Sequence, residues 1–451
     1  MKNGCSFMEL KLNNKNLKIN ENYDVVVAGA GPAGIAAAAA AAREGAKTLL
    51  IEASGQLGGM ATTGLVPAWT PYTDGIRVIY GGLSERIFRE TKAKMPHIKE
   101  DHLDWVAIDY EVLKDNYANL LKETGVEVIY HTTVCDVVMR DERNVDAVVV
   151  ANKSGIFAYK APVFIDCTGD ADIYTFAGGE FYFGEDGDVQ PGTMCFVMTN
   201  IDEDILYSLP YMHAGNLDSA IHTIVKEGKY GIPDTHFCHS KIGPKTFGFN
   251  AGHVWGADPT DPELYSQKIT EGRELVQRMV AALKEYHPAF KDAYLVQTAP
   301  TLGVRETRRI VGDYTFTKED YFERKSFKDE ISRNNYFIDI HKSARENEEW
   351  AADKNADHRF DHYKDGESHG VPYRCLCPKH LDNVLVAGRS ISTDRITQGS
   401  LRVMPSCLCE GEAAGIAAVL AQRGDKNIHN VDTDVLRATL KSYGAYLPDV
   451  E

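Results

Sequence analysis

The sequence predicts an α/β protein: a parallel sheet clad by helices, assembled from separated stretches of chain, with a mixed α+β segment inserted. Three observations predict this. The apolar run Val25 to Val27 leads into a glycine-rich turn, an alanine-rich stretch and a second apolar run, Thr48 to Ile51. That order reads as strand, tight turn, helix and parallel strand. Short apolar runs recur at Val126–Tyr130, Asp146–Val150 and Val163–Asp166, and a last one returns at Asn383–Ala387. Between these last two lies a stretch of about 185–375, long enough to form a domain by itself.

Within the first unit each small residue has a physical task. Gly29 permits the sharp turn, Gly31 lets a pyrophosphate approach the backbone, and Gly34 allows close packing of helix on strand. Pro32 and Ala33 open the helix, whose free N–H groups and partial positive charge suit phosphate. Glu52 stands 18 positions beyond Gly34, at the end of the second strand, where a carboxylate binds both hydroxyls of an adenosine ribose. A glycine-rich turn without a ligand is the competing explanation. The full strand–helix–strand context with its terminal acid favours a dinucleotide.

The bulk properties narrow the classes. At 451 residues, 43% hydrophobic and 25% charged, the chain has material for two or three domains. A net charge of −16 argues against nucleic acid or an anionic membrane as a partner. The apolar run Ala36–Ala42 is far shorter than the roughly 20 residues of a membrane span. The first 20 residues read as a polar lead-in without an apolar signal core. Nine cysteines, an odd number, suit reduced thiols, so a cytoplasmic location is expected.

The nucleotide-binding domain is expected to be discontinuous, over 20–184 and 376–430, with a helical insertion at about 61–120. Residues 185–375 are read as a substrate or cap domain and 431–451 as a C-terminal helix. In the cap, Ile269, Val276, Val280 and Leu283 share one face of a helix over Pro262–Tyr286, ended by His287-Pro288. Leu401–Arg423 reads as the last long helix, with Pro405 tolerable only in its first turn. Gly411, Gly415 and Ala418 put small residues on one side of it, for tight packing on the nucleotide domain. Val431–Tyr446 carries a shorter helix started by Asp432 or Asp434.

Further glycine turns recur. Gly58-Gly59-Met60-Ala61-Thr62 follows Glu52 closely and can run its backbone along phosphates. Thr168-Gly169 ends one strand and Gly388-Arg389 another, while Gly399-Ser400-Leu401-Arg402 is read as opening a helix. Together with VVVAGAGPAGIAAA (26–39), LGGMATTGLV (57–66), DCTGDAD (166–172), GVRETRRIVG (303–312), VPYRCLCP (371–378) and GSLRVMPSCLCEGEAAG (399–415), these segments resemble the FAD-dependent oxidoreductase family. Its fold is the Rossmann-like FAD-binding domain of glutathione-reductase type, distantly similar to fumarate reductase flavoproteins. The resemblance runs through nearly the whole chain. It implies non-covalent FAD and a redox activity, with Ala53, Val134 and Asp172 as further cofactor contacts.

Two departures matter. Related flavoproteins often carry Gly-Asp at the last strand end, whereas here the pair is Gly388-Arg389, so the acid is missing or supplied by Asp394. No second GxGxxG appears after residue 100 and no Cys-x4-Cys pair follows Glu52. A dedicated NAD(P)H domain and a dithiol relay are therefore not expected, which leaves NAD(P)H as a transient donor or an electron-transfer partner.

Flavin redox chemistry needs a proton carrier and groups that hold the substrate. Arg305, Arg308 and Arg309 cluster just after Gly303, with Arg374, Arg395 and Arg402 further on, a local excess that suits an anion. Salt bridging to Glu306 and Asp313 is the plainer alternative. His341, His253 and Tyr373 are the candidate acids and bases, with Arg305 and Arg374 as substrate anchors. The pairs Cys375/Cys377 and Cys407/Cys409 have the wrong spacing for a metal knuckle and read as buried apolar thiols, so no metal is expected. The leading expectation is hydride transfer between flavin N5 and a small, anionic organic substrate. A flavin-carrying electron-transfer subunit is the alternative, with an FAD-stabilised binding module third. No nucleic acid or membrane partner is expected, and association into homo-oligomers is left open.

Overall fold

The computed structural model describes residues 17–185, 187–343 and 362–449. At its centre is a five-stranded parallel sheet in the order Val384–Val386, Val163–Asp166, Val25–Ala28, Thr48–Ile51, Glu127–Ile129. Four of these strands are buried along their whole length, which explains why they read as continuous apolar runs rather than alternating ones. Successive residues of Val25–Ala28 point into two separate cores. Val25 and Val27 join the core shared with the helices, while Val26 and Ala28 join Val134, Val148 and Val150 on the other side. The second core is capped by a four-stranded sheet in the order Lys18–Asn20, Gly155–Lys160, Val145–Asn152, Thr133–Met139. The run expected at Asp146–Val150 therefore belongs to this layer and not to the parallel sheet.

The helix Pro32–Arg43 follows the glycine turn, with Gly31 as its N-cap and Pro32 in its first turn. It packs against the helix Met404–Arg423. That helix starts three residues later than the pattern suggested, because Gly399-Ser400-Leu401 ends a separate short helix, Arg395–Leu401. The chain breaks at Arg402-Val403, and Pro405 then occupies the first turn of the long helix, where its missing N–H costs nothing. By length and composition Met404–Arg423 resembles a membrane span, yet it is almost wholly buried inside the protein. The helices Leu83–Ala93 and Tyr110–Thr124 fill the insertion after the glycine-rich loop. Asp432 caps the terminal helix Thr433–Ser442 by accepting from the N–H groups of Asp434 and Val435.

A third sheet carries the inserted segment: Phe237–Gly243, Thr246–Ala251, Phe196–Thr199 and Tyr294–Thr298, all antiparallel. Phe196 stacks on Phe249 at 4.9 Å inside it. The helix Pro262–Tyr286, capped by Asp261, has the bounds its periodicity gives and packs on this unit.

A Cβ at Gly411 would stand 2.0 Å from the carbonyl oxygen of Ala33. Alanine there gains about 1 kcal/mol of helix propensity but must push two backbones apart. We expect Gly411→Ala to destabilise the protein by about 1–3 kcal/mol net of that gain, read as a lower urea midpoint.

Candidate functional site

The glycine turn is shaped by contacts to backbone. Added Cβ atoms at Gly29 and Gly34 would fall 2.4 Å from Cys167 O and 1.7 Å from Gly29 O, so neither position admits a side chain. At Gly31 the same test meets nothing within 4 Å, and its φ of −72° suits any residue. The missing side chain leaves the backbone there open to a group from outside the chain. Beside it, Gly58 N donates to Ala30 O at 2.8 Å, which lays the short turn Gly59–Ala61 against Gly31, with Met60 within it and Thr62 just beyond. Glu52 ends the second strand before Ala53. It accepts from Ala30 N at 2.8 Å and Ser54 N at 2.7 Å, and each oxygen keeps a lone pair for a further donor.

Two arginines hold unused donors at this cleft. Arg389 follows Gly388, whose Cβ would lie 3.3 Å from that of Ala33. Its Nη2 donates to Asp170 at 2.7 Å, and its buried Nε has no partner among the described residues. The acid that meets this strand end is thus Asp170, paired with Arg389. Asp394 instead caps the helix Arg395–Leu401 and accepts from Lys318 N. Arg402 likewise has a buried, unpartnered Nε. Thr168 bonds Asp166 beneath the Gly169 turn, and Val134 lies buried in the strand pairing with Val150. Asp172 pairs with Arg308 at 3.0 Å, and its carboxyl is pushed up to about 7 by burial and by Asp166 and Asp170. An open backbone approach at Gly31, a ribose acid at Glu52 and two unsatisfied guanidinium N–H groups fit a dinucleotide pyrophosphate. Leu401, Gly399 and Ser400 face inward instead: Gly399 abuts Asp339 and Ile340, and Ser400 Oγ donates to Tyr336 O.

Next to this cleft a polar cluster forms around the open end of the hairpin Phe237–Gly243/Thr246–Ala251. Phe237 pairs with Ala251, so the chain just before and just after the pair, His236 and His253, must meet. Asp234 fastens them, accepting from His236 N at 2.7 Å and from His253 N and Nδ1 at 3.2 and 3.1 Å. His236 stacks on His253 with ring centroids 4.3 Å apart. His341 comes in from the segment 335–343. Its Nδ1 is 2.8 Å from His253 Nε2 and its Nε2 is 3.4 Å from Asp339. Arg305 is held by Pro191 O at 2.7 Å and Thr193 Oγ1 at 3.0 Å, and reaches His236 Nε2 at 3.4 Å. Arg402 donates to Asp339 O at 2.7 Å.

The cluster is wired to the helix Arg395–Leu401. His341 N donates to Gln190 Oε1, Gln190 Nε2 to Gln398 Oε1, and Gln398 Nε2 to Arg305 O, all at 2.8–3.1 Å. Burial, then Arg402, lowers the Arg305 guanidinium to about 10. Burial, then Arg305, pushes His341 down to about 3. Burial alone would raise the Asp339 carboxyl, but His341, Arg402 and Arg305 outweigh it and hold it well below the usual range.

The structure therefore brings together His341, His253 and Arg305, and leaves two candidates elsewhere. Tyr373 is buried with its hydroxyl donating to Ile428 O, and Arg374 pairs with Asp329 at the surface. Neither reaches the cluster, because the segment carrying them turns away toward the terminal helices. Arg308 and Arg309 are tied to Asp172 and Glu306. Sequence reasoning passed over Asp234, His236, Gln190 and Asp339. For Asp339 a signal was present, since it lies two residues from His341 in an extended run and shares its side. The three histidines also form a group with ligand nitrogens within 4.8 Å of one another.

Sheet, turn and cleft define an α/β protein that binds a flavin dinucleotide. The chain belongs to the FAD dependent oxidoreductase family, whose sequence profile matches residues 24–440. It is an enzyme of flavin redox chemistry with FAD as cofactor. Among solved structures it is similar to a geranylgeranyl bacteriochlorophyll reductase-like protein from Thermoplasma acidophilum, at 15% identity over 95% of this chain and 83% of that one, TM-score 0.44. It is also similar to the flavin-dependent brominase Bmp2, at 12% identity over 93% and 83%, TM-score 0.45. Likeness this distant says nothing about substrate.

Two outcomes follow from this geometry. Gly31→Ala should leave the urea midpoint of the apoprotein nearly unchanged while weakening FAD binding at least about tenfold, since the new methyl fills space that only a ligand needs; flavin fluorescence titration checks it. His369, buried beneath the helix Arg395–Leu401, accepts from Asn334 Nδ2 at 3.0 Å, and burial pushes it from 6.5 down to about 3. The unfolded chain takes up this proton near 6.5 and the folded one does not until about 3. Stability from this group is complete above 6.5 and falls as pH drops below it. His369→Gln should flatten the acid-side slope of unfolding free energy against pH by about one proton.

Proposed function

We propose that the protein is a dehydrogenase or reductase that exchanges a hydride between flavin N5 and a small anionic organic molecule bound at the Arg305–His341 cluster. One observation carries the reading. Arg305 reaches His236 at 3.4 Å, Arg402 holds Asp339, and His341 stands between Asp339 and His253, so two arginines and a histidine whose charged form burial disfavours are gathered in one cluster beside the residues that fit the cofactor. When bound, FAD supplies the electron-pair acceptor or donor. The protein's part is to hold and to deprotonate. Arg305, its Nη1 fixed by Pro191 and Thr193, presents its Nη2 edge to an anion. His341, with Nδ1 turned to His253, keeps Nε2 to exchange a proton with a substrate O–H or N–H. The reading takes NAD(P)H as a transient electron partner and a small molecule as substrate, and assigns the enzyme to the cytoplasm.

Anaerobic mixing of the FAD-loaded enzyme with small hydroxy acids, amino acids and enoates, followed by flavin absorbance, tests this. Bleaching or reoxidation by an anionic compound is expected. Response only to a redox protein would replace the reading with an electron-transfer subunit. With a responsive substrate, Arg305→Gln should lower kcat/KM by about 10–100-fold through a lost charge-assisted bond. His341→Gln should slow flavin reduction by about 100-fold or more.

A further inference from the structure

Asp234, His253 and His341 stand in a line of short contacts whose proton positions are fixed by elimination. Asp234 is an acceptor: besides His253 Nδ1 it takes two backbone N–H bonds, which keep it ionised. His253 Nδ1 must therefore carry hydrogen, and its Nε2 is a bare lone pair. That lone pair faces His341 Nδ1 at 2.8 Å, so His341 must donate there; in the neutral ring, which burial favours, its Nε2 keeps a lone pair on the side of Asp339, 3.4 Å away. A metal ion held by all three histidines is a poor alternative. His236 and His253 lie with ring planes 8° apart, and an ion cannot lie in two parallel planes at once. Arg305 beside His236 also repels a cation.

We propose that Asp234 and His253 make His341 Nε2 the proton acceptor of the site and carry the accepted proton to solvent. The inference rests on the function proposed above, in which the hydride leaves for the flavin. The proton balance closes within the chain. A substrate proton binds His341 Nε2, the Nδ1 proton of His341 passes to His253 Nε2, and the Nδ1 proton of His253 passes to Asp234. Asp234 has the most exposed of the three side chains, 22% against 13% for each histidine, and releases the proton to water. In the opposite half-reaction, with a second substrate such as an enoate that takes up hydride and proton together, a proton travelling back from Asp234 leaves His341 Nε2 for that substrate and resets both rings. The groups facing the line divide by sign: Asp339 lies 3.4 Å from His341 Nε2 and steadies the imidazolium, while Arg305, Arg402 and the stacked His236 oppose a lasting charge. His341 is thereby disposed to pass its proton on and not to keep it. Tyr336, which donates to Asp339 at 3.2 Å, fixes that carboxylate from its far side.

The test uses the FAD-loaded full chain with nitrogen-15-labelled histidine and no substrate. Nuclear magnetic resonance should report His253 and His341 both neutral and protonated on Nδ1. His253→Phe removes the acceptor and should move His341 to the Nε2–H form. His253→Gln keeps an acceptor oxygen and should hold the Nδ1–H form, yet slow substrate-driven flavin reduction at least about tenfold, with a larger effect in deuterium oxide. His341 protonated on Nε2 in the unaltered enzyme, a tautomer indifferent to His253→Phe, full speed in His253→Gln, or one tightly bound transition metal per chain would each overturn the proposal. The tautomer readout needs no substrate. Failure to find one in the anaerobic screen therefore strikes the function above and not this hydrogen-bond order.

Discussion

The helices Pro32–Arg43 and Met404–Arg423 touch backbone to backbone, with a Cβ at Gly415 falling 2.3 Å from Ala37 O. Eight alanines, Ala33 and Ala36 to Ala42, let the first helix lie this close, and Ala36 to Ala41 are fully buried. The contact fixes the first helix on the sheet, so its N-terminus points its free N–H groups from a rigid seat. It also holds the start of the second helix beside Gly388, where the returning strand ends. Glu410, one turn and a half into that helix, reaches back to accept from Gly388 N and Ser406 Oγ, both at 3.0 Å. Burial pushes its carboxyl up to about 8, against the opposing hydrogen bonds from Ser406 and Gly388.

Buried charge is used again where the inserted segment rejoins the sheet. Glu306 is fully buried and serves three partners: Arg309, Arg395 at 3.3 Å and the backbone N–H of Gln190 at 3.1 Å. Such a set is costly to desolvate and gains little net stability, but removing one member strands the others. Its value here is positional. Glu306 stands next to Arg305 in sequence and holds Gln190, so the same carboxylate sets the base of both Arg305 and the glutamine that accepts from His341 N.

The scaffold was legible in the sequence and the chemical cluster only in part. Strands of the central sheet are continuous apolar runs because both faces are covered, and the glycines of the turn are placed by contacts that allow nothing else. Local rules suffice for such elements. They mislead by about one helical turn at 399–404, where Gly399-Ser400-Leu401 closes a separate short helix and the long helix starts anew with Pro405 in its first turn. His253 and His341 are 88 positions apart and meet only because a hairpin end faces the rejoining segment. No periodicity encodes that meeting. Tyr373 and Arg374 are adjacent in sequence to a cofactor-like motif, yet one is committed to a backbone carbonyl and the other to Asp329.

Position along the seam explains why the cluster is polar although its neighbours are apolar. The hairpin end, the 335–343 segment and the end of the helix Arg395–Leu401 all leave backbone groups unpaired by secondary structure. Side chains take over that role: Gln190 pairs with His341 N, Arg402 with Asp339 O, Arg305 with Pro191 O and Asp234 with the His253 N–H. Each of these side chains does structural work at one end and presents a charged or hydrogen-bonding group at the other. In the function proposed above such a site is rigid before a substrate arrives, since Gln190, Arg402, Arg305 and Asp234 are each anchored through a backbone bond. The same coupling makes the cluster intolerant of change: losing Asp234 removes a charge from the histidine line and also unties the two ends of the hairpin.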